Sequence, residues 1–273
     1  MFSEGLILLR APLDVSQAEG SHLSGSTLRP EELPEIRHLH LFRDMTQASF
    51  EALMASSYAQ NFPQGLDIIR QGDPADFLHI VVEGSVELFA QWSGRECTMA
   101  VVQPVSTFIL AASIRDAPYL MSARTLERTR IILVPAADLR AMFRRDTEFA
   151  VSVITELAAC YRSVVRSAKS LKLRNSRERV ASYLLRQSML AGGATSYTLP
   201  VEKRLIASYL GMTPENLSRT LRMLEADGVK MDGARVIITD REKLTTLAQP
   251  DKLIDGPDAI ADANGSDLPG ASG

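Results

Sequence analysis

The chain has 273 residues, an apolar fraction of 45% and a formal net charge of −3. That length suits two domains with packed cores, and the weak acidity excludes a uniformly basic surface, so any role with nucleic acid must rest on local charge. The two cysteines, Cys97 and Cys160, lie far apart, which excludes a disulfide framework, a zinc ribbon and a four-cysteine iron–sulfur cluster within one chain.

No apolar run approaches the length of a membrane span. The start carries Glu4 and lacks a basic stretch before a long apolar core, so no secretory signal is read and a cytoplasmic, membrane-free protein is expected. Residues 1–30 mix Gly, Ser and polar residues after the patch GLILLRAPL and read as a flexible extension. From Pro30 the chain turns helical; Thr46 caps a short helix whose inward face is Phe50, Leu53 and Met54.

Between Ala59 and Pro135 short alternating apolar runs are separated by turns, with Gly65, Gly72, Gly84 and Gly94 at strand-plus-turn spacing. This predicts a jelly-roll β-sandwich, and residues 31–147 are read as a β-roll domain with a helical lead-in. A long helix follows over 148–175. Along it Ile154, Leu157, Tyr161, Val164, Ala168 and Leu171 step by three and four, a heptad seam that predicts a parallel helix pair and hence a homodimer; the alternative is a seam packed on its own β-roll. Arg162, Arg166, Lys169, Lys172, Arg174, Arg177, Arg179 and Arg186 make a basic run opposed only by Glu178. Asn175 and Ser176 read as a hinge, with Ser176 capping the next helix, which Gly192 and Gly193 end.

The stretch KRLIASYLGMTPENLSRTLRMLEADG, from Lys203 to Gly228, reads as two helices joined by a tight turn at Gly211. Thr213 suits an N-cap, Pro214 the first helical position and Glu215 the first turn. Leu217, Leu221 and Leu224 form an inward stripe, and Glu215, Ser218, Arg219 and Arg222 the opposite one. This is helix-turn-helix grammar. VKMDGARVIIT follows as a hairpin turning at Asp232-Gly233, giving a winged domain over 176–248. The remainder, 249–273, carries five Asp and one Lys from Asp251 onward and reads as a disordered acidic tail.

On the segments IASYLGMT and ENLSRTLRMLEADG the chain resembles the CRP/FNR family of bacterial transcription regulators. Glu215, Ser218 and Arg219 match that family's Glu-x-x-Ser-Arg, and IIRQGDPADFLHIVVEGSVELF and TRIILVPAADLRAMF look like its sensor β-roll. The resemblance implies an α+β protein: N-terminal β-roll, dimerisation helix, C-terminal winged helix-turn-helix. It implies double-stranded DNA as partner, a palindrome with TTGAT-like half-sites, and contact with RNA polymerase, hence activation. Arg219 is expected to grip guanine O6 and N7, Glu215 to accept from a cytosine amino group, and Ser218 to touch a base edge. Lys203, Thr213 and Arg235 are expected phosphate contacts; Arg222 either joins them or is solvated.

Family members that bind cyclic AMP carry Gly-Glu and Arg-Ser in their phosphate cassette. Leu110-Ala111 and Met121-Ser122 stand in those places here, which argues against a cyclic nucleotide unless Arg115 or Arg124 substitutes in a shifted register. Phe108, Ile109, Leu110, Ile114, Leu120 and Met121 are expected to wall an apolar effector pocket. Haem is one candidate for it, with His38, His40, His79 and Cys97 as axial ligands, and His22 and Met121 as further ones; oxidation of Cys97 or Cys160, or no effector at all, stays open. A cupin-type metal enzyme built on His38-x-His40 and Asp44 is the distant alternative, since those residues precede the β region. A β-roll that regulates a partner protein is the non-enzyme rival.

Overall fold

The computed structural model describes residues 27–256. Two helices, α1 (Glu32–His38) and α2 (Gln47–Ala55), lead into strands β1 (Tyr58–Phe62), β2 (Asp67–Ile69), β3 (Phe77–Glu83), β4 (Val86–Trp92), β5 (Arg95–Val102) and β6 (Ser106–Phe108). A short helix α3 (Leu110–Arg115), strands β7 (Ser122–Thr125) and β8 (Thr129–Pro135) and helix α4 (Ala136–Met142) complete the domain. The strands form two four-stranded sheets, ordered β1-β8-β3-β6 and β2-β7-β4-β5, the expected sandwich. Alternation places Val81, Val86, Leu88, Phe108, Ala123 and Ile131 in one interior cluster. A second cluster joins the other face of β3 and β8 to α1, α2, α4 and the long helix through Ile36, Phe42, Leu53, Ile80, Ile132 and Phe149.

The long helix α5 runs Thr147–Leu173, capped by Asp146, whose Oδ1 accepts from the Phe149 N–H at 3.0 Å. Burial pushes the Asp146 carboxyl up, but bonds from the Phe149 and Thr46 N–H groups and the Ser49 and Thr46 side chains together hold it at about 2. The anion therefore ties the start of α5 to the cap of α2. Next come α6 (Ser176–Leu190), β9 (Ser196–Thr198), α7 (Lys203–Tyr209) and α8 (Pro214–Met223). A 3-10 turn over Leu224–Asp227, then β10 (Val229–Asp232), β11 (Arg235–Ile238), α9 (Arg241–Ala248) and α10 (Lys252–Asp255) finish the described chain. No helix among the described residues is long and apolar enough to cross a membrane.

Three expectations need correction. Asn175, not Ser176, caps α6: its Oδ1 accepts from the Glu178 N–H while the Glu178 carboxylate accepts from the Asn175 N–H, a reciprocal capping box. The extension expected over 1–30 lies outside the described residues as far as residue 26, His22 with it, but 27–30 are anchored. Leu28 packs on the second cluster, the Thr27 carbonyl accepts from Arg130, and Arg29 pairs with Glu83 at 2.7 Å. The tail expected over 249–273 is ordered to Gly256, because Asp255 pairs with Arg174; residues 257–273 lie outside the described part.

Candidate nucleic-acid interface

Helices α7 and α8 meet at Gly211, whose φ of +64° is a left-handed conformation that glycine adopts without strain. A Cβ at Gly211 would also lie 2.9 Å from Leu171 Cδ2, so the turn sits directly on the end of α5. Thr213 caps α8 by accepting from the Asn216 N–H at 3.3 Å, with Pro214 in the first turn. Leu217, Leu221 and Leu224 are buried with Ile206 and Ala207 of α7, with Leu210 that follows it, and with Val180, Leu184 and Leu185 of α6. Glu215, Ser218, Arg219 and Arg222 are all exposed, on the opposite face. The expected base-reading residues therefore share one solvent-facing stripe on a buried, rigid backing.

The Glu215 carboxyl is held below its ordinary range by its own backbone N–H and then by the Thr213 hydroxyl, so it is an anion at neutral pH. An anion here accepts hydrogen bonds and repels acceptors, which matches the amino edge of cytosine. Arg219 and Arg222 have no ion pair with any described residue. Of the expected phosphate contacts, Lys203 is half-buried at the start of α7 and Arg235 is exposed on β11, its Nε bonded to Ser196 Oγ at 2.7 Å. Thr213 is exposed, but its hydroxyl already serves the cap.

The wing has three strands, ordered β10-β11-β9, rather than the two of a simple hairpin. Its short β9 has little apolar alternation, and the one signal for it is Tyr197, whose hydroxyl donates to the Leu184 carbonyl at 2.6 Å. Gly228, at φ +85°, precedes β10. A Cβ there would lie 2.4 Å from Asp240 Cβ, so this position excludes every other residue.

Arg174, Arg177, Arg179 and Arg186, the C-terminal half of the basic run, are engaged within the chain. Arg174 pairs with Asp255 at 2.5 Å and Arg177 with Asp227 at 2.6 Å. Arg179 donates to the carbonyls of Leu210 and Arg174, and Arg186 donates to the Tyr209 hydroxyl while lying over the Tyr183 and Tyr209 rings. These side chains join α5, α6, α7 and the C-terminal segment to one another. They do not form an outward cationic patch.

The seam residues of α5 divide. Ile154, Tyr161 and Val164 are 65%, 70% and 66% exposed in the single chain, and Leu171 is exposed beside Gly211. Leu157 instead packs partly on the second β-roll cluster, and Ala168 is half-buried.

The expected effector wall does not form. Phe108 is buried in the inter-sheet cluster with Ile109 and Met121 against it, whereas Leu110 and Ile114 belong to the cluster beneath α5. Leu120 is 81% exposed. The reason is local: Ile109 takes a left-handed φ of +59° and starts α3, so the residues after it turn to the opposite side of the sheet. Arg124, a possible substitute for the missing phosphate cation, is bound to Asp67 at 2.7 Å and Glu96 at 3.3 Å and lies over the Phe89 ring. Arg115 is exposed at the end of α3.

The candidate haem ligands stand in unlike settings. His38 and His40 are exposed, His38 within 2.6 Å of the Pro34 carbonyl, and Cys97 is exposed with its thiol donating to the Ser208 carbonyl at 3.7 Å. His79 is buried in the β-roll, its ring centre 5.1 Å from that of Phe108 and 6.3 Å from that of Tyr119. A haem on His79 would have to displace one of those rings, so the packing does not fit it. Among the described residues no group of three His, Cys, Asp or Glu side chains is placed to hold a metal ion. His38, His40 and Asp44 also lie outside the sheets, away from where a cupin places its ligands.

Comparison with known proteins matches this geometry. Residues 59–146 match the cyclic nucleotide-binding domain family, and residues 178–247 match the Crp-like helix-turn-helix domain family. The chain is 25% identical over 215 residues to the CRP-like cAMP-activated global transcriptional regulator of Mycobacterium tuberculosis, covering 77% of this chain and 96% of that protein. It is 26% identical over 245 residues to the transcriptional activator protein FnrL of Cereibacter sphaeroides, covering 79% and 90%. The structure of FixK2 from Bradyrhizobium japonicum superposes with a TM-score of 0.60 at 25% identity, over 70% of this chain and 96% of that one.

Proposed function

The chain belongs to the CRP/FNR family of DNA-binding transcription regulators, and on that premise we propose that it is a homodimeric activator reading a palindromic site through α8 under a signal other than a cyclic nucleotide. The observation that carries the DNA reading is the exposed stripe Glu215, Ser218, Arg219 and Arg222, backed by the buried Leu217, Leu221 and Leu224. Arg219 makes the two parallel bonds to a guanine in a TTGAT-like half-site, Glu215 takes a cytosine amino group, and Lys203 and Arg235 hold phosphates.

The exposed apolar face of α5, Ile154, Tyr161 and Val164, supports the dimer. Two copies place two α8 helices in successive major grooves, about one turn of DNA apart. Activation, through contact with RNA polymerase, is supported by the activator function named for FnrL.

Absence of a cyclic nucleotide signal is supported by Met121-Ser122 and Leu110-Ala111 in the cassette positions and by the engagement of Arg124 with Asp67 and Glu96. A visible spectrum with and without ferrous haem tests the haem alternative, which the packing around His79 disfavours. A second reading, a cyclic-nucleotide-responsive regulator with an atypical cassette, is favoured by the match of residues 59–146 to the cyclic nucleotide-binding domain and by the cAMP activation named for the mycobacterial relative.

The test is a fluorescence-anisotropy titration of a palindromic duplex, with and without cyclic AMP, at several salt concentrations. The expected result is two chains per duplex, affinity that falls with salt, and no response to the nucleotide. One chain per duplex would remove the dimer, and a saturable response to cyclic AMP would replace the signal reading with the second one.

A further inference from the structure

The helix-turn-helix match ends at residue 247, yet the chain continues into an ordered turn and α10. That segment lies against the joint between α5 and α6. Arg174 is the C-cap that follows α5, in extended conformation, and Asn175 caps α6. The Arg174 guanidinium meets Asp255 through two bonds, Nη1 to Oδ1 at 2.7 Å and Nη2 to Oδ2 at 2.5 Å. The same Oδ1 accepts from Ser182 of α6 at 2.7 Å, and Arg174 also donates to the Gln249 carbonyl at 3.2 Å.

Asp255 is aimed by its own segment. Its Oδ2 accepts from the Asp251 N–H at 3.0 Å, and Asp251 caps α10 through the Leu253 N–H. Lys169 of α5 donates to the Leu253 carbonyl at 3.4 Å. Gly256 is buried, and a Cβ on it would stand 2.5 Å from the Lys252 carbonyl oxygen. The hinge backbone is held as well, since Arg179 donates to the Arg174 carbonyl at 2.7 Å. One carboxylate thus joins α5, α6 and the C-terminal segment at the point where the DNA-binding domain leaves the dimer helix.

We propose that residues 249–256 are a clasp, and that Asp255 and Arg174 are positioning residues fixing the angle between α5 and the DNA-binding domain. An arginine–carboxylate fork is directional, so it sets an angle that a single point contact leaves free. A hinge held in this way spares the two reading heads the ordering cost of binding adjacent half-sites. The clasp does not depend on which bases α8 reads, and its failure is separable from failure of that reading.

The experiment uses the full chain with Asp255→Ala, Arg174→Ala and the double variant. Hydrogen exchange is followed at residues 173–177, and affinity is measured on a palindromic duplex and on its base-substituted forms. Expected is hinge exchange faster by about tenfold and duplex binding weaker by about fivefold, with base preference and salt slope unchanged. The double variant is expected to be no worse than either single one, because both remove the same fork. Asp255→Asn, which keeps the side-chain shape, replaces the alanine variant if the latter lowers the melting temperature. Unchanged hinge exchange, unchanged or tighter DNA binding, or additive losses in the double variant would each overturn the clasp.

Discussion

The β-roll and the DNA-binding domain use polar side chains in opposite ways. In the β-roll the distinctive polar groups are inside: Arg130 is 2% exposed and bound to Glu32, His79 is enclosed by aromatic rings, and Glu87 accepts from Thr98 at 2.5 Å. In the DNA-binding domain the distinctive polar groups of α8 face solvent above a leucine stripe. Substitutions in the first region should therefore move stability and leave DNA preference alone, whereas substitutions on α8 should do the reverse. The hinge arginines lie between these cases. They resemble the α8 arginines in sequence, yet they are committed to intramolecular bonds.

The largest effect expected from this contrast is at Glu32. Burial pushes its carboxyl up, but bonds from Arg130 and the Arg29 N–H, with the charges of both arginines, hold it below its ordinary range. Glu32→Ala takes away the carboxylate facing a buried guanidinium, which costs about 3–5 kcal/mol. Urea unfolding measures this, and base preference of the surviving folded protein is expected to be unchanged.

His79 comes next. Burial lowers its pKa from 6.5 to about 4, against a smaller upward pull from the Phe77 backbone. The unfolded chain therefore binds a proton that the folded chain refuses between those two values. Stability is full above pH 6.5 and falls as the pH drops toward 4, by on the order of 3 kcal/mol. His79→Phe is expected to flatten that part of the stability profile, and a profile unchanged by the substitution would show that other groups produce it.

A paired comparison sharpens the contrast among arginines. Arg219→Ala is expected to lose about 1–3 kcal/mol of DNA binding with no change in melting temperature. Arg177→Ala breaks a partly exposed pair with Asp227, so it is expected to lower stability by about 1 kcal/mol or less and to leave base preference alone. Loss of base preference in the Arg177 variant would place the hinge arginines on the DNA after all. An effect of similar size is expected at Thr213: removing its cap to the Asn216 N–H is expected to cost about 1 kcal/mol of stability, seen as a lower melting temperature.

What was legible in the sequence follows from contact range. The α8 stripe, its cap and the Gly211 turn are set by residues within one or two helical turns, so periodicity and turn chemistry were enough. The β-roll was legible as alternation and glycine spacing, but the destination of each face was not. Leu110 and Phe108 are two residues apart and lie in different cores because Ile109 adopts a positive φ that its residue type does not announce. The hinge clasp joins residues 81 apart and the Glu32–Arg130 pair residues 98 apart, and neither leaves a local pattern. The basic run suggested DNA affinity because the acids that answer it, Asp227 and Asp255, lie far along the chain.

The most direct test of the account is a duplex panel. Each base pair of a palindromic half-site is substituted in turn, and binding by the unaltered protein and by Arg219→Ala is measured at one salt concentration. The unaltered protein is expected to discriminate strongly at one guanine, and the variant to lose discrimination at that pair while keeping it elsewhere. A variant with the same base preferences as the unaltered protein, weaker or not, would mean that α8 does not read the site through Arg219.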